Sequence, residues 1–241
     1  MVVAMAKTAH ITANAVPLGI GYYTVPEAAR LLRMPPLTIR RWLGGYTYRT
    51  GGLVRHMEPL WKPQLPALDG HIELDFRDLI ELRFVHQFNE AGVGINAIRA
   101  SLKLAQEVAD DPLPFSTRRF RTDGKTIFME TIRESGKESQ LLDLKRKQYA
   151  ISRVLERTFK DLDTDDEVVT RWRPYHGKAS IVIDPTRAFG QPIADETGIP
   201  TATLADAVKA EGSSKRVAYL YGVAETVVRD ADNFERSLLA A

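Results

Sequence analysis

Two short helices separated by a tight turn are predicted near the start of the chain. Thr24 and Glu27 are spaced as a pair that satisfies free backbone N–H groups at a helix start. This first helix is expected to run to about Arg33 and to stop at Met34-Pro35, and a second begins at Pro36, where a missing N–H costs nothing. The apolar residues of the second helix recur at the spacing of one helix face: Ile39, Trp42 and Leu43.

A β-rich wing and two longer helices are predicted next. Residues 46–48 and 53–57 read as strands around a Gly51-Gly52 turn, and residues 71–74 form a further short strand. A long helix is expected from Asp75 to Gly92, with its apolar residues along one side. Another begins near Ile95, and its apolar spacing suits packing along a second helix or a dimer mate.

The middle of the chain contains a turn signal. Asp123-Gly124 accepts the positive φ angles of a tight turn, so residues 122–125 are predicted to form a hairpin that continues into a strand at Ile127 and Phe128. A charged helix from about Ser139 to Asp161 and a strand over residues 168–172 are expected after it.

The C-terminal part shows a second pair of helices. It opens with an apolar strand at residues 181–183, followed by a helix that Thr203 caps and that runs through Ala210. Ser213 or Ser214 begins the next helix, which ends near Gly222. The last helix carries apolar residues at helical spacing: Val227, Val228, Ala231 and Phe234.

These elements predict a mainly α protein with small β elements. We expect a loose tail at residues 1–21 and a winged helix-turn-helix domain at 22–110. A hairpin-and-helix region at 111–178 and a C-terminal helical, helix-turn-helix-like module at 179–241 follow.

Composition narrows the class of protein. The 241 residues are 44% hydrophobic and 27% charged, as in ordinary soluble globular proteins. The absence of cysteine excludes disulfides, thiol catalysis and cysteine-based zinc sites. No signal peptide or apolar run of membrane-spanning length is apparent, so we expect a cytoplasmic protein without a membrane partner.

Charge is strongly asymmetric in the predicted helix-turn-helix and wing. Residues 22–57 contain six arginines and a single acidic residue, Glu27. The second helix of such a motif enters the DNA major groove, where arginine can contact guanine edges or phosphates. A solvated basic face is the alternative, but motif, wing and charge together favour DNA binding. The candidate DNA-binding residues are Thr38, Arg40 and Arg41 on the helix and Arg49 and Arg55 on the wing.

Several fragments resemble enzyme or metal sites but lack an essential residue. Asp161, Asp163 and Asp165 have the opening spacing of a calcium loop, yet Asp166 replaces its glycine and Trp172 its closing glutamate. No histidine pair has metal-ligand spacing on a helix. We therefore expect no catalytic residue, metal or cofactor and do not predict an enzyme.

The second helix pair lacks the positive charge of the first. Residues 195–241 contain eight acidic and five basic residues. Lys215, Arg216 and Arg229 are candidates for a second DNA contact or a partner contact. We rate protein interaction or dimerisation slightly above DNA contact here.

Two stretches resemble a known DNA-binding family. Residues 23–29, Tyr-Thr-Val-Pro-Glu-Ala-Ala, and residues 38–42, Thr-Ile-Arg-Arg-Trp, resemble the winged helix-turn-helix of MerR-type regulators. The similarity continues through residues 74–79 and 91–99, which resemble the helices after the wing in that family.

The C-terminal part resembles an antitoxin domain. Residues 181–185, 189–192 and 199–201 closely resemble the domain of unknown function four-three-three, although Glu196-Thr197-Gly198 stands where Gly-Thr-Arg is expected. The order of a MerR-like head and this tail resembles the large VapB-type antitoxins of bacterial toxin–antitoxin pairs.

This resemblance implies a repressor of its own operon that binds operator DNA and neutralises a PIN-like ribonuclease toxin. Because such heads read two half-sites, we also expect a homodimer. The alternative is a stand-alone MerR-like transcriptional regulator that responds to a small ligand.

Overall fold

Helices dominate the described part of the chain, and short antiparallel strands connect them. The computed structural model describes residues 19–134, 141–165 and 167–239, so residues 1–18 of the predicted tail lie outside the described residues. The predicted fold class, mainly α with small β elements, is confirmed.

The N-terminal head contains four helices and four short strands. They are β1 (Tyr23–Thr24), α1 (Val25–Leu32), α2 (Pro36–Gly44), β2 (Tyr46–Thr50), β3 (Leu53–Met57), β4 (Glu73–Leu74), α3 (Phe76–Glu90) and α4 (Ile95–Ala109). Strands β1 and β4 pair antiparallel, as do β2 and β3. The predicted start of α1 is confirmed, because Thr24 and Glu27 cap each other's backbone N–H groups.

The remainder combines two long helices, a small sheet and three C-terminal helices. Its elements are α5 (Arg118–Glu134), α6 (Leu141–Lys160), β5 (Leu162–Asp165), β6 (Val168–Trp172), β7 (Ile181–Ile183), β8 (Pro192–Ala194), α7 (Thr201–Glu211), α8 (Ser214–Tyr221) and α9 (Glu225–Leu239). Strands β5 to β8 form one antiparallel sheet in chain order.

The predicted hairpin at residues 122–125 is wrong, because α5 runs through it without interruption. Phe120, Ile127 and Phe128 are buried on one side of this helix. That spacing is helical, and burial of three large side chains outweighs the local turn preference of Asp123-Gly124. Gly124 lies under Phe120, whose ring leaves no room for a Cβ atom.

Two further expectations differ from the structure, and the described residues do not test a third. Thr203 does not cap the helix after the sheet, because α7 begins two residues earlier and Pro200 precedes it in extended backbone. The predicted start of the charged helix, Ser139, lies outside the described residues. Helix α3 buries Leu82 and Val85 as well as its expected apolar side, so it is enclosed rather than one-sided.

A cluster of aromatic rings fills the centre of the molecule. Phe84 and Phe88 of α3 contact rings from a 3₁₀ turn, from α5 and from α6, with centroid separations as short as 4.3 Å between Phe88 and Phe128. Helix α4 packs on α5 of the same chain. A smaller apolar cluster lies between α7, α8 and α9.

Direct bonds connect the head to the C-terminal helices. The Tyr23 hydroxyl donates to the Gly190 carbonyl over 2.8 Å. On α1, the guanidinium of Arg30 lies 3.1 Å from the Glu235 carboxylate, and that of Arg33 donates to the Ser237 hydroxyl over 2.8 Å. Helix α1 is therefore held by α9 on one side while it supports α2 on the other.

A buried carboxylate braces the chain that returns from the wing. Asp78 accepts hydrogen bonds from the Trp61 indole over 2.8 Å and from the Gln64 backbone over 3.0 Å. Asp75 caps α3 by accepting from the Asp78 backbone N–H over 2.7 Å. Burial raises the pKa of both carboxyl groups, that of Asp75 to about 7.

Asp75 predicts a pH dependence of stability. Between pH 3.8, its ordinary pKa, and about pH 7, the Asp75 carboxyl group stays protonated in the folded chain. In the unfolded chain it loses its proton over this range. The free energy of unfolding should therefore fall as the pH rises through this window. Asp75→Asn keeps a good helix cap but cannot titrate, so urea unfolding should show a flatter pH profile. The exposed control Asp110→Asn should follow the wild type, and identical profiles for all three proteins would contradict the prediction.

Gly190 predicts a packing effect where head and C-terminal part meet. At φ +81° its added Cβ atom would overlap the Tyr23 hydroxyl and lie 2.9 Å from Cζ of that ring. Gly212 also has a positive φ, +67°, but faces open space. Gly190→Ala should lower the free energy of unfolding by about 1–3 kcal/mol more than Gly212→Ala in denaturant titrations. Equal losses would mean that the Tyr23 contact contributes nothing.

Candidate nucleic-acid interface

Helix α2 presents its polar side to solvent because its apolar side is fixed in the core. Ile39, Trp42 and Leu43 are buried as predicted. Arg40 and Arg41 lie between them in sequence and are exposed, and Thr38 is half-buried. Helical geometry therefore directs both guanidinium groups away from the head.

The wing is a two-stranded hairpin closed by two glycines. Gly51 and Gly52 both have positive φ angles, +56° and +79°, as a tight hairpin turn of this length requires. Arg49 is opposite Val54, and Arg55 is opposite Tyr48. These are neighbouring pairs, so the two wing arginines point to opposite faces of the hairpin.

The base of the wing depends on a glycine and an arginine that the sequence patterns did not single out. Gly45 has φ +70°, and a Cβ atom there would lie 2.7 Å from the Met57 carbonyl oxygen. Arg99 of α4 donates to the carbonyls of Glu58 and Pro59, each over 2.7 Å. These contacts fix the hairpin to the head where it leaves and where it returns.

Most of the predicted DNA-binding arginines keep their positive charge uncompensated. Within the residues that the structure covers, Arg40, Arg49 and Arg55 have no carboxylate partner. The guanidinium of Arg41 lies 5.5 Å from the ring centroid of Tyr46, which orients it without neutralising it. The sequence contains no acidic residue between Glu27 and Glu58.

Two arginines of the basic segment have another role. Arg30 and Arg33 contribute to the charge excess of residues 22–57, but both bond to α9. Sequence spacing could not identify these contacts, because their partners lie 205 and 204 residues away. Of the six arginines in residues 22–57, the four that do not bond to α9 therefore lie on α2 and the wing.

The candidate residues of the second helix pair lie on different helices. Lys215 and Arg216 are exposed on α8, and Arg229 is exposed on α9. Arg216 forms an ion pair with Glu211 at the end of α7. That pair lowers the positive charge that this region can offer to a polyanion.

Two of the three aspartates in the calcium-like fragment form ion pairs. Asp161 forms a two-pronged bond with Arg83 at 2.7 and 2.9 Å, and Asp163 lies 2.9 Å from Arg173. Asp166 lies outside the described residues. Across residues 19–134, 141–165 and 167–239, no cluster of three metal-binding side chains occurs. In the same ranges, no helix is both long and apolar enough to cross a bilayer.

The fold and the arginine surface define a class: a DNA-binding helix-turn-helix head. Residues 21–102 match the family described as "Putative DNA-binding HTH domain".

A comparison over most of the chain identifies its family. The "Putative antitoxin VapB45" of Mycobacterium tuberculosis is 30% identical over 220 residues, which cover 87% of this chain and 91% of that protein. The chain belongs to the family of this antitoxin. The X-ray crystal structure of Rv2018 from Mycobacterium tuberculosis is also similar, with a TM-score of 0.71 and 25% identity, over 90% of this chain and 99% of that one.

The exposed arginines of α2 predict the effect of their removal. Arg40→Ala and Arg41→Ala should each weaken DNA binding by about 1–3 kcal/mol if the side chain contacts a base edge. Neither should change the melting temperature, because both side chains are exposed. A gel shift with the DNA upstream of the gene measures the loss.

Arg236→Ala is the matched control, because it removes an exposed arginine of α9 that pairs with Asp232. It should leave the gel shift unchanged. If the gel shifts of Arg40→Ala and Arg41→Ala were both unchanged, the arginines of α2 would not contact the DNA.

Proposed function

We propose that this chain is an antitoxin that represses its own operon and neutralises a PIN-like ribonuclease toxin. The observation that carries the proposal is the uncompensated arginine surface of α2 and the wing, joined in one chain to an antitoxin-like tail. Kinship with a named antitoxin supports the same assignment. No reaction is assigned to the chain.

We assign binding of operator DNA to the head. In this proposal Thr38, Arg40 and Arg41 enter the major groove, and Arg49 and Arg55 contact phosphates beside it. The arrangement of helix pair and wing supports a MerR-like mode of binding. A homodimer would place two such heads on a two-fold symmetric operator.

We assign binding of the toxin to the C-terminal helices. Helix α8 exposes two neighbouring apolar residues, Tyr219 at 87% and Leu220 at 55%. Exposed apolar residues near one another commonly mark a protein interface. The excess of acidic residues in residues 195–241 also suits a ribonuclease, whose substrate groove must attract RNA. Lys215, Arg216 and Arg229 would flank this contact.

A cavity beside α2 favours a second candidate, a regulator that responds to a small ligand. It has a volume of about 460 Å³ and is lined by Thr24, Arg40, His71 and Glu73 among others. One carboxylate oxygen of Glu73 is buried and has no hydrogen-bond partner in the described part of the chain. A ligand bound here would touch Arg40 directly.

Co-expression with the product of the adjacent reading frame tests the antitoxin assignment. The two proteins should co-purify through size-exclusion chromatography, and the complex should lack the ribonuclease activity of the free partner. The complex and the chain alone should both shift the upstream DNA in a gel. Failure to co-purify, together with thermal stabilisation by a metabolite, would overturn the assignment in favour of the second candidate.

A further inference from the structure

The tip of the wing exposes two apolar side chains next to each other. Leu53 is 63% exposed and Val54 is 62% exposed, directly after the Gly51-Gly52 turn. An isolated two-stranded hairpin is marginally stable, and these two side chains lie outside the apolar core. Their presence at a protruding tip indicates a contact made outside this chain.

The register of the hairpin places these residues on both sides of the tip. Leu53 is opposite Thr50, and Val54 is opposite Arg49. Successive residues of a strand point to opposite faces, so one apolar side chain projects from each face. Gly51 and Gly52 add no side chain, and open space surrounds both. The result is a narrow tip with apolar flanks.

The charge of the wing and of α2 indicates what kind of molecule the tip contacts. The wing carries Arg49 and Arg55, and it continues from α2 with Arg40 and Arg41. No acidic residue occurs between Glu27 and Glu58, so α2 and both strands of the wing carry arginines and no carboxylate. An apolar tip surrounded by arginines suits a polyanion with an apolar interior. Duplex DNA has this combination, with phosphates outside and stacked bases inside.

We propose that Leu53 and Val54 form an apolar wedge that enters the minor groove beside α2 and unstacks a base step, so that the bound DNA is kinked. This inference rests on the proposed DNA binding by the head. With α2 in the major groove, a wing on the same head reaches the neighbouring minor groove. Arg49 and Arg55 contact the phosphates on its two sides, and these contacts offset the cost of unstacking.

The double variant Leu53→Ser/Val54→Ser tests the wedge. The probe is a duplex selected by the full-length wild-type protein from a random pool and labelled with a dye at each end. Energy transfer between the dyes should report a kink of about 20–90° with the wild type. The variant should leave the duplex nearly straight. Its affinity should fall by less than about tenfold, because the arginine contacts to phosphate remain.

Two controls separate the wedge from general effects. Leu239→Ser removes an exposed apolar residue from α9 and should bend the probe as the wild type does. Arg40→Ala/Arg41→Ala should lose binding itself. Melting temperatures of all variants should match the wild type, because the altered side chains are exposed.

The remaining outcomes would overturn the proposal in distinguishable ways. If the wild type left the DNA straight, or if the double variant bent it equally, the wedge would be disproved. DNA binding by the head would be unaffected by that result. A change in oligomeric state of the double variant in light scattering would make the tip a contact between two copies. Absence of any selected duplex would overturn DNA binding and the wedge together.

Discussion

Burial of one side of α2 is the constraint on which the DNA-binding surface depends. Ile39, Trp42 and Leu43 fix the rotation of this helix against the head, and the intervening arginines are thereby directed outward. No arginine needs a bond of its own to hold it there. The surface is therefore positioned by apolar packing, and within the described residues Arg40, Arg49 and Arg55 form no ion pair.

The wing depends on contacts made far from its tip. Asp78 accepts hydrogen bonds from the Trp61 indole and the Gln64 backbone, and Arg99 donates hydrogen bonds to the carbonyls that follow β3. Exposure increases from the base of the hairpin to its tip: Tyr46, Tyr48 and Met57 are half-buried, and the other strand residues are exposed. A bonded base and an exposed tip suit a segment that contacts another molecule.

The sequence predicted elements whose local signals agreed with their packing. The caps at Thr24 and Ser213 and the apolar faces of α2 and α9 are examples. It failed at Asp123-Gly124, where a turn preference competes with helical burial of the surrounding phenylalanines. It also could not separate Arg30 and Arg33 from the free arginines, because only the folded chain brings α9 beside α1.

The ion pair between Arg30 and Glu235 gives α1 a part in both halves of the molecule. Glu235 is buried and also accepts a hydrogen bond from Thr201, so one carboxylate joins α1, α7 and α9. A protein that drew Glu235 away from α1 would leave the Arg30 guanidinium without its carboxylate, on the side of α1 that faces α9. If this change altered the affinity of the head for DNA, reciprocity of binding free energies would require DNA at the head to alter the affinity of that protein for the tail.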